Sequence, residues 1–179
     1  MPLFETITDL AMRAEKLRRR AYGVIEMVDG RFRQVRLRPF PKIISAPEIV
    51  LFGERFHRRA HGDRLWLYYN QPWRYPNFLV LKYVVSARKT SFGSLARALD
   101  VLDYIARLKQ SDAVLCDVGN WRISKKLLAC WGWVPHCPSR WHRYYIKRFY
   151  GTYPPPTKWM DELLVFRNQF SVFSNQLSE

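Results

Sequence analysis

Acidic residues are scarce in this chain. Its 179 residues include 15 aspartates and glutamates against 30 lysines and arginines, a formal charge of +15. That excess points to an acidic partner: nucleic acid, an anionic membrane surface, or a phosphorylated ligand such as coenzyme A. A basic, well-solvated surface would also account for it. Cysteine is scarce too. Three residues, an odd number without regular spacing, exclude a disulfide framework and suit a reducing compartment, so a cytoplasmic location is expected. No apolar run reaches the length of a membrane span, because Lys82 interrupts even the longest candidate. A secretory signal is not expected either, since Glu5 and Asp9 break up any apolar core near the start. No internal repeat or low-complexity tract is visible.

What is present suits one globular domain. Hydrophobic content is 48%, and the length allows one well-buried core. The compact domain is expected over residues 1–150, with 151–179 as a C-terminal extension beginning near Pro154, Pro155 and Pro156. Leu3, Phe4, Ile7, Leu10, Ala14 and Leu17 recur at helical spacing, which predicts a helix over 2–20, closed by Arg18, Arg19 and Arg20 and packed on the domain. Tyr22 to Val28 and Arg31 to Arg38 flank Asp29-Gly30 and predict a tight hairpin. The second arm is very basic, either a nucleic-acid face or an edge strand protected by charge. A helix is expected over Glu48 to Ala60, a strand over Arg64 to Tyr69, and a helix over Lys158 to Phe170 docked through Trp159, Leu163 and Phe166.

The centre of the chain carries the most informative pattern. Phe78 to Ser86 is almost continuously apolar, as a strand buried on both faces would be. A polar loop, Ala87 to Gly93, follows. Ser94 is placed to cap a helix to about Gln110, with Leu95, Leu99, Leu102 and Ala106 on one face. Arg97, Asp100, Asp103 and Arg107 lie away from it, Asp103 and Arg107 as an i,i+4 pair. Ala113 to Val118 reads as the returning strand, so the unit is strand, crossover helix, parallel strand. Its loop suits phosphate: amides at a helix N-terminus, two cations in Arg88 and Lys89, two hydroxyls in Thr90 and Ser91, and a glycine that permits close approach. A solvated turn that merely caps a helix has the same composition.

This order of elements resembles the core of the GNAT acetyltransferase superfamily. The family's acyl-CoA pyrophosphate loop reads Q/R-x-x-G-x-G/A after its fourth strand. Arg88 and Gly93 match its first and last positions, and Ser91 stands where the middle glycine is expected. Asn120 to Trp133 resembles the family's later helix, which follows an Asn and ends in Gly-Phe; here Asn120 lies one residue early and Gly132-Trp133 supplies the ending. The resemblance covers roughly residues 78–150. It implies an α/β fold with a mixed, largely antiparallel sheet, a central parallel strand pair and helices on both faces. It also implies a closing hairpin, supplied by Trp133 to His136 with Trp141 to Phe149.

The resemblance further implies acetyl-CoA, or another acyl-CoA, as cosubstrate, with an amine of unknown identity as acceptor. The parallel strands splay in this family, and the pantetheine fills the gap. The implied cofactor contacts are Val84, Val85 and Ser86 on the strand, Arg88, Lys89, Thr90, Ser91, Phe92, Gly93 and Ser94 in the loop, and Asn120 downstream. The thiolate acid of many members is a tyrosine four residues before the helix-ending glycine. Here that position is Leu128, which cannot donate a proton. Tyr144 or Tyr145 is the available substitute, although aromatic residues on that strand also suit a core. Asp117 at the end of the fifth strand is the best-placed base, or else a helix cap or structural acceptor.

Two other patterns compete. Trp141, Arg143, Tyr144, Tyr145, Lys147 and Arg148 interleave aromatics with cations, as a nucleic-acid surface would, so a second expectation is a GNAT-like protein without catalysis that binds RNA or DNA. Metal binding is not expected. His57 and His61 are crowded by Arg55, Arg58 and Arg59, and Cys130, His136, Cys137 and His142 lack zinc-ligand spacing. Cys116 and Cys130 are expected in the core.

Overall fold

The computed structural model describes residues 5–41, 62–120, 123–137, 139–161 and 163–164. The expected helix over 48–60, with His57 and His61, lies outside the described residues, as does Phe166. The elements are β1 (Glu5–Ile7), α1 (Ala14–Arg19), β2 (Tyr22–Val28), β3 (Arg31–Arg38), β4 (Arg64–Asn70), β5 (Phe78–Ser86), α2 (Phe92–Leu108), β6 (Ala113–Asp117), α3 (Lys125–Cys130), β7 (Val134–Pro135) and β8 (Tyr144–Arg148).

The strands form one sheet in the order β1-β3-β2-β4-β5-β6-β8-β7. Neighbours are antiparallel except β5 and β6, which run parallel with Phe78 opposite Ala113. The parallel pair needs a crossover, and α2 supplies it. The fold is therefore a mixed, largely antiparallel sheet with a central parallel pair and a closing β7–β8 hairpin, the arrangement that the resemblance implies.

Alternation decides the faces. Ile25, Met27, Val35, Leu37, Leu65, Leu67, Leu79, Val114 and Cys116 join one core cluster with Ala98, Leu99, Val101, Leu102, Ile105 and Ala106 of α2. The β2–β3 turn forms as expected, with Asp29 and Gly30 both at positive φ (50° and 70°), the two-residue turn whose twist suits a hairpin. Gly23 faces Tyr69 across β2 and β4. A Cβ there would lie 2.5 Å from the Tyr69 hydroxyl, so the glycine makes room for a fully buried ring.

Several expectations change. Residues 5–7 pair with β3 as a strand, and the N-terminal helix shrinks to Ala14–Arg19. Edge pairing satisfies more backbone than a frayed first helical turn would. The crossover helix is capped three residues earlier than predicted. Its N-cap is Ser91, whose Oγ accepts from the Ser94 amide at 3.1 Å, while Ser94 is buried inside the first turn. Asp103 is buried rather than solvent-facing, and it pairs with Lys147 of β8 instead of Arg107. The later helix begins after Ser124, not near Trp121, and Gly132 takes the left-handed C′ position with φ 80°. Of the cysteines, Cys116 is buried and Cys130 is exposed. In β5 only Leu79 is fully buried and Lys82 is exposed, so the strand is not enclosed on both faces along its length.

The C-terminal segment straps across α2. Thr157 Oγ1 and Trp159 Nε1 both donate to Asp100 Oδ2, at 3.2 and 2.9 Å, and the Arg97 guanidinium lies over the Trp159 ring. Met160 is buried, and Trp159 and Leu163 pack against the core, as expected of the docked helix.

Candidate active site at the parting of β5 and β6

The β5–β6 ladder stops early. Its last pair is Leu81 and Cys116, yet β5 continues to Ser86 while β6 ends at Asp117. On its other edge β5 stays paired with β4 as far as Ser86 and Leu65, with a bulge that leaves Lys82 as the extra residue between Leu81 and Tyr83. A bulge bends its strand and increases local twist. The parallel pairing therefore ends before residues 82–86, and Val84, Val85 and Ser86 lie on that stretch.

The loop begins where β5 ends. The Ala87 amide donates to the Arg64 carbonyl, the Thr90 amide to the Ala87 carbonyl, and Thr90 Oγ1 to the Arg64 carbonyl at 2.7 Å, so β4 holds the turn in place. Arg88 and Lys89 are exposed on it. The amides of Phe92 and Gly93, at the start of α2, donate to no partner among the described residues. A Cβ on Gly93 would meet nothing nearer than Ser91 Oγ at 3.7 Å, and Gly93 has ordinary helical φ. The glycine therefore leaves open space rather than relieving strain.

The serine hydroxyls are otherwise engaged. Ser91 Oγ and Ser94 Oγ donate to Asp63 Oδ2, at 2.8 and 2.5 Å. A carboxylate at a helix N-terminus is favourable in its own right. Asp63 holds the inner side of this N-terminus, so an incoming anion is left the main-chain amides and the exposed Arg88 and Lys89. The sequence marks Asp63 only by a Gly-Asp pair just before β4, too weak a signal to single it out.

Across the gap, at the end of β6, Asp117 is at the centre of a polar cluster. Its Oδ2 lies 2.7 Å from His142 Nδ1, and its Oδ1 accepts the Arg143 amide at 3.2 Å. The His142 ring stacks on Tyr144 with centroids 5.2 Å apart. Asp117 lies opposite Tyr144 in the β6–β8 register, which is why a loop histidine reaches it. With Nδ1 held by the carboxylate, Nε2 is the nitrogen left to accept a proton. In the sequence His142 stands out only as a possible metal ligand. The 25-residue separation hides the pair until the strands are aligned.

The remaining candidates are scattered. Tyr145 pairs with Cys116 and is buried in the α2-side core, on the opposite face from Tyr144. Lys147 also points to that side. The aromatic and basic stretch 141–148 is therefore split between two faces. Leu128 is buried in the core. The Asn120 carbonyl accepts from the Ile123 amide and from Arg143 Nη1 at 3.4 Å. No group of three metal-ligating side chains exists among the described residues, and Cys137 Sγ meets only His136 Nε2, at 3.3 Å.

A cavity of about 360 Å³ lies away from this parting, between α2, Lys147 and the C-terminal strap. It contains the Asp103–Lys147 pair. Burial pushes the Asp103 carboxyl up to about 6, although the Lys147 ammonium beside it acts the other way.

No family model matches the sequence, and no curated protein matches it. Among solved structures, the crystal structure of nourseothricin acetyltransferase is similar, with a TM-score of 0.39 and 11% identity over 82% of this chain and 99% of that one. A likeness at that level adds nothing to what the topology itself shows.

Proposed function

We propose that the protein is an acyl-CoA-dependent N-acyltransferase, carrying an acyl group to an amine. One observation supports this above the others. The parallel ladder ends at Leu81 and Cys116, and the edge of β5 that it abandons leads directly into the amide-rich start of α2. An extended chain with amide groups can bond to the freed strand edge while its phosphates meet the Phe92 and Gly93 amides, aided by Arg88 and Lys89. The cosubstrate supplies an activated acyl thioester.

The chain's own part is to position and to move protons. His142 Nε2 takes the proton from the acceptor amine, and Asp117 orients the ring and stabilises its charged form. Tyr144, stacked on His142, is the candidate to protonate the departing thiolate in place of the tyrosine that Leu128 replaces. Ser91 and Ser94 cap the helix and hold Asp63 rather than the ligand.

Calorimetry with acetyl-CoA, joined to turnover on a panel of amines, tests the proposal. Binding should be measurable, and His142→Gln should lower turnover about 10²- to 10⁴-fold, the usual contribution of a positioned base, with little change in acetyl-CoA affinity. Undetectable binding at millimolar acetyl-CoA would remove the proposal. Full activity in His142→Gln would remove the histidine from it.

A further inference from the structure

The strongest unexplained surface lies at the other end of β5. The turn between β4 and β5 displays Trp73 at 81% exposure and Tyr75 at 62%, and Tyr150 beyond β8 is 72% exposed. Single exposed aromatics are ordinary, but several at one end of a sheet mark a contact surface. This turn is also tightly held. The Tyr75 amide donates to the Pro72 carbonyl, the Phe78 amide to the Tyr75 carbonyl, and Gln71 Nε2 to the Pro76 carbonyl. Asn77 Nδ2 donates to Asp112 Oδ2 at 2.7 Å, and the Tyr150 amide donates to the Asp112 carbonyl, which brings the two aromatic segments together.

Cations gather at the same end. The Arg74 guanidinium lies 5.3 Å from the centroid of the Trp73 ring. Lys109 Nζ donates to the carbonyls of Arg18 and Arg20 and to Gln71 Oε1, at 2.9, 2.8 and 2.9 Å. Those bonds fix the Arg18–Arg20 run beside the turn. Of the acids here, Glu15 pairs with Arg19 at 2.8 Å, while Asp112 accepts from the neutral Asn77 and is outnumbered by the cations.

We propose that this end binds single-stranded nucleic acid, with bases stacked on Trp73 and Tyr75 and phosphates met by Arg74, Arg18 and Arg20. Rigid aromatics provide base platforms at little entropic cost, and interleaved arginines follow a phosphate backbone. The excess of 15 positive charges supplies the long-range attraction. A nine-residue strand separates this end from the loop after Ser86, roughly 26 Å at 3.3 Å per residue. The inference is therefore independent of acyl transfer.

Fluorescence anisotropy with labelled rU20 and dT20 tests it, alongside a 20-base-pair duplex and phosphatidylserine vesicles. Both single strands should bind more tightly than the duplex. Three neutralised phosphates give a logarithmic salt slope of about −2, or roughly twentyfold weaker binding between 50 and 200 mM salt. Trp73→Ala should weaken binding by about tenfold, and Arg74→Ala should make the salt slope shallower by about 0.7. Both side chains are exposed, so melting temperatures should not move. The proposal falls if Trp73→Ala and Tyr75→Ala bind as tightly as the parent. It also falls if only vesicles bind, or if nothing binds at 50 mM salt.

Discussion

Replacing Lys147 with Met should reveal how far the Asp103 carboxylate depends on one ammonium. Asp103 is 7% exposed, and burial lifts its pKa from an ordinary 3.8 to about 6, with Lys147 as the main opposing influence. In the parent, the folded state holds this proton more tightly than the unfolded chain between those two values. Stability contributed by this group therefore falls as pH rises through that window, and the distance from 3.8 to 6 corresponds to about 3 kcal/mol. Above pH 6 the term is flat. Lys147→Met removes the compensating charge, so the Asp103 pKa rises further and the falling limb extends above pH 6. Removing one partner of a buried pair costs about 3–5 kcal/mol, which moves the Asp103 pKa up by about 2–4 units, so the deficit should be small at pH 5 and grow to about 2–3 kcal/mol by pH 8. For a chain of this size, 3 kcal/mol lowers the melting temperature by about 6–12 °C. Urea titrations followed by circular dichroism at pH 5, 6.5 and 8 would measure it, with Asp103→Asn/Lys147→Met expected to recover much of the loss at pH 8. A deficit equal at all three pH values would refute this account, as would a double variant no more stable than Lys147→Met alone.

Gly93→Ala should separate stability from binding. The fold has room for the methyl and the helix gains up to about 1 kcal/mol, whereas one weakened amide contact to a charged group, about 1.5–3 kcal/mol, should reduce acetyl-CoA affinity roughly ten- to a hundredfold. Unchanged affinity by calorimetry would place the ligand elsewhere. Arg88→Ala should lower the same affinity about tenfold without altering the melt. Tyr69→Phe should leave the protein as stable or more so by about 1 kcal/mol, because the buried Tyr69 hydroxyl has no partner among the described residues; a clear loss in urea titration would reveal one. If His142 is the base, as proposed, Asp117→Asn should lower turnover less than His142→Gln and shift its pH profile, because the carboxylate contacts the ring and not the substrate.

Local chemistry determined the elements. Asp29-Gly30 announces its turn because few other pairs accept two positive φ values. The apolar run 78–86, the amphipathic helix and the short strand after it yield a parallel pair because the crossover length permits little else. The polar, glycine-bearing loop and Asp117 were therefore visible as candidates before any strand was placed. Contacts distant in the chain were not. Nothing near Asp103 specifies Lys147 rather than Arg107 as its partner; that choice follows from packing α2 on β8, 44 residues away. Nothing near Ser91 announces Asp63, and nothing near Asp117 announces His142, because strand register is a property of the assembled sheet. Alternation along β8 divides Tyr144 from Tyr145, sending one toward Asp117 and the other into the core. Periodicity is written residue by residue, but which groups meet depends on register and on what covers each face, and only the tertiary structure decides both.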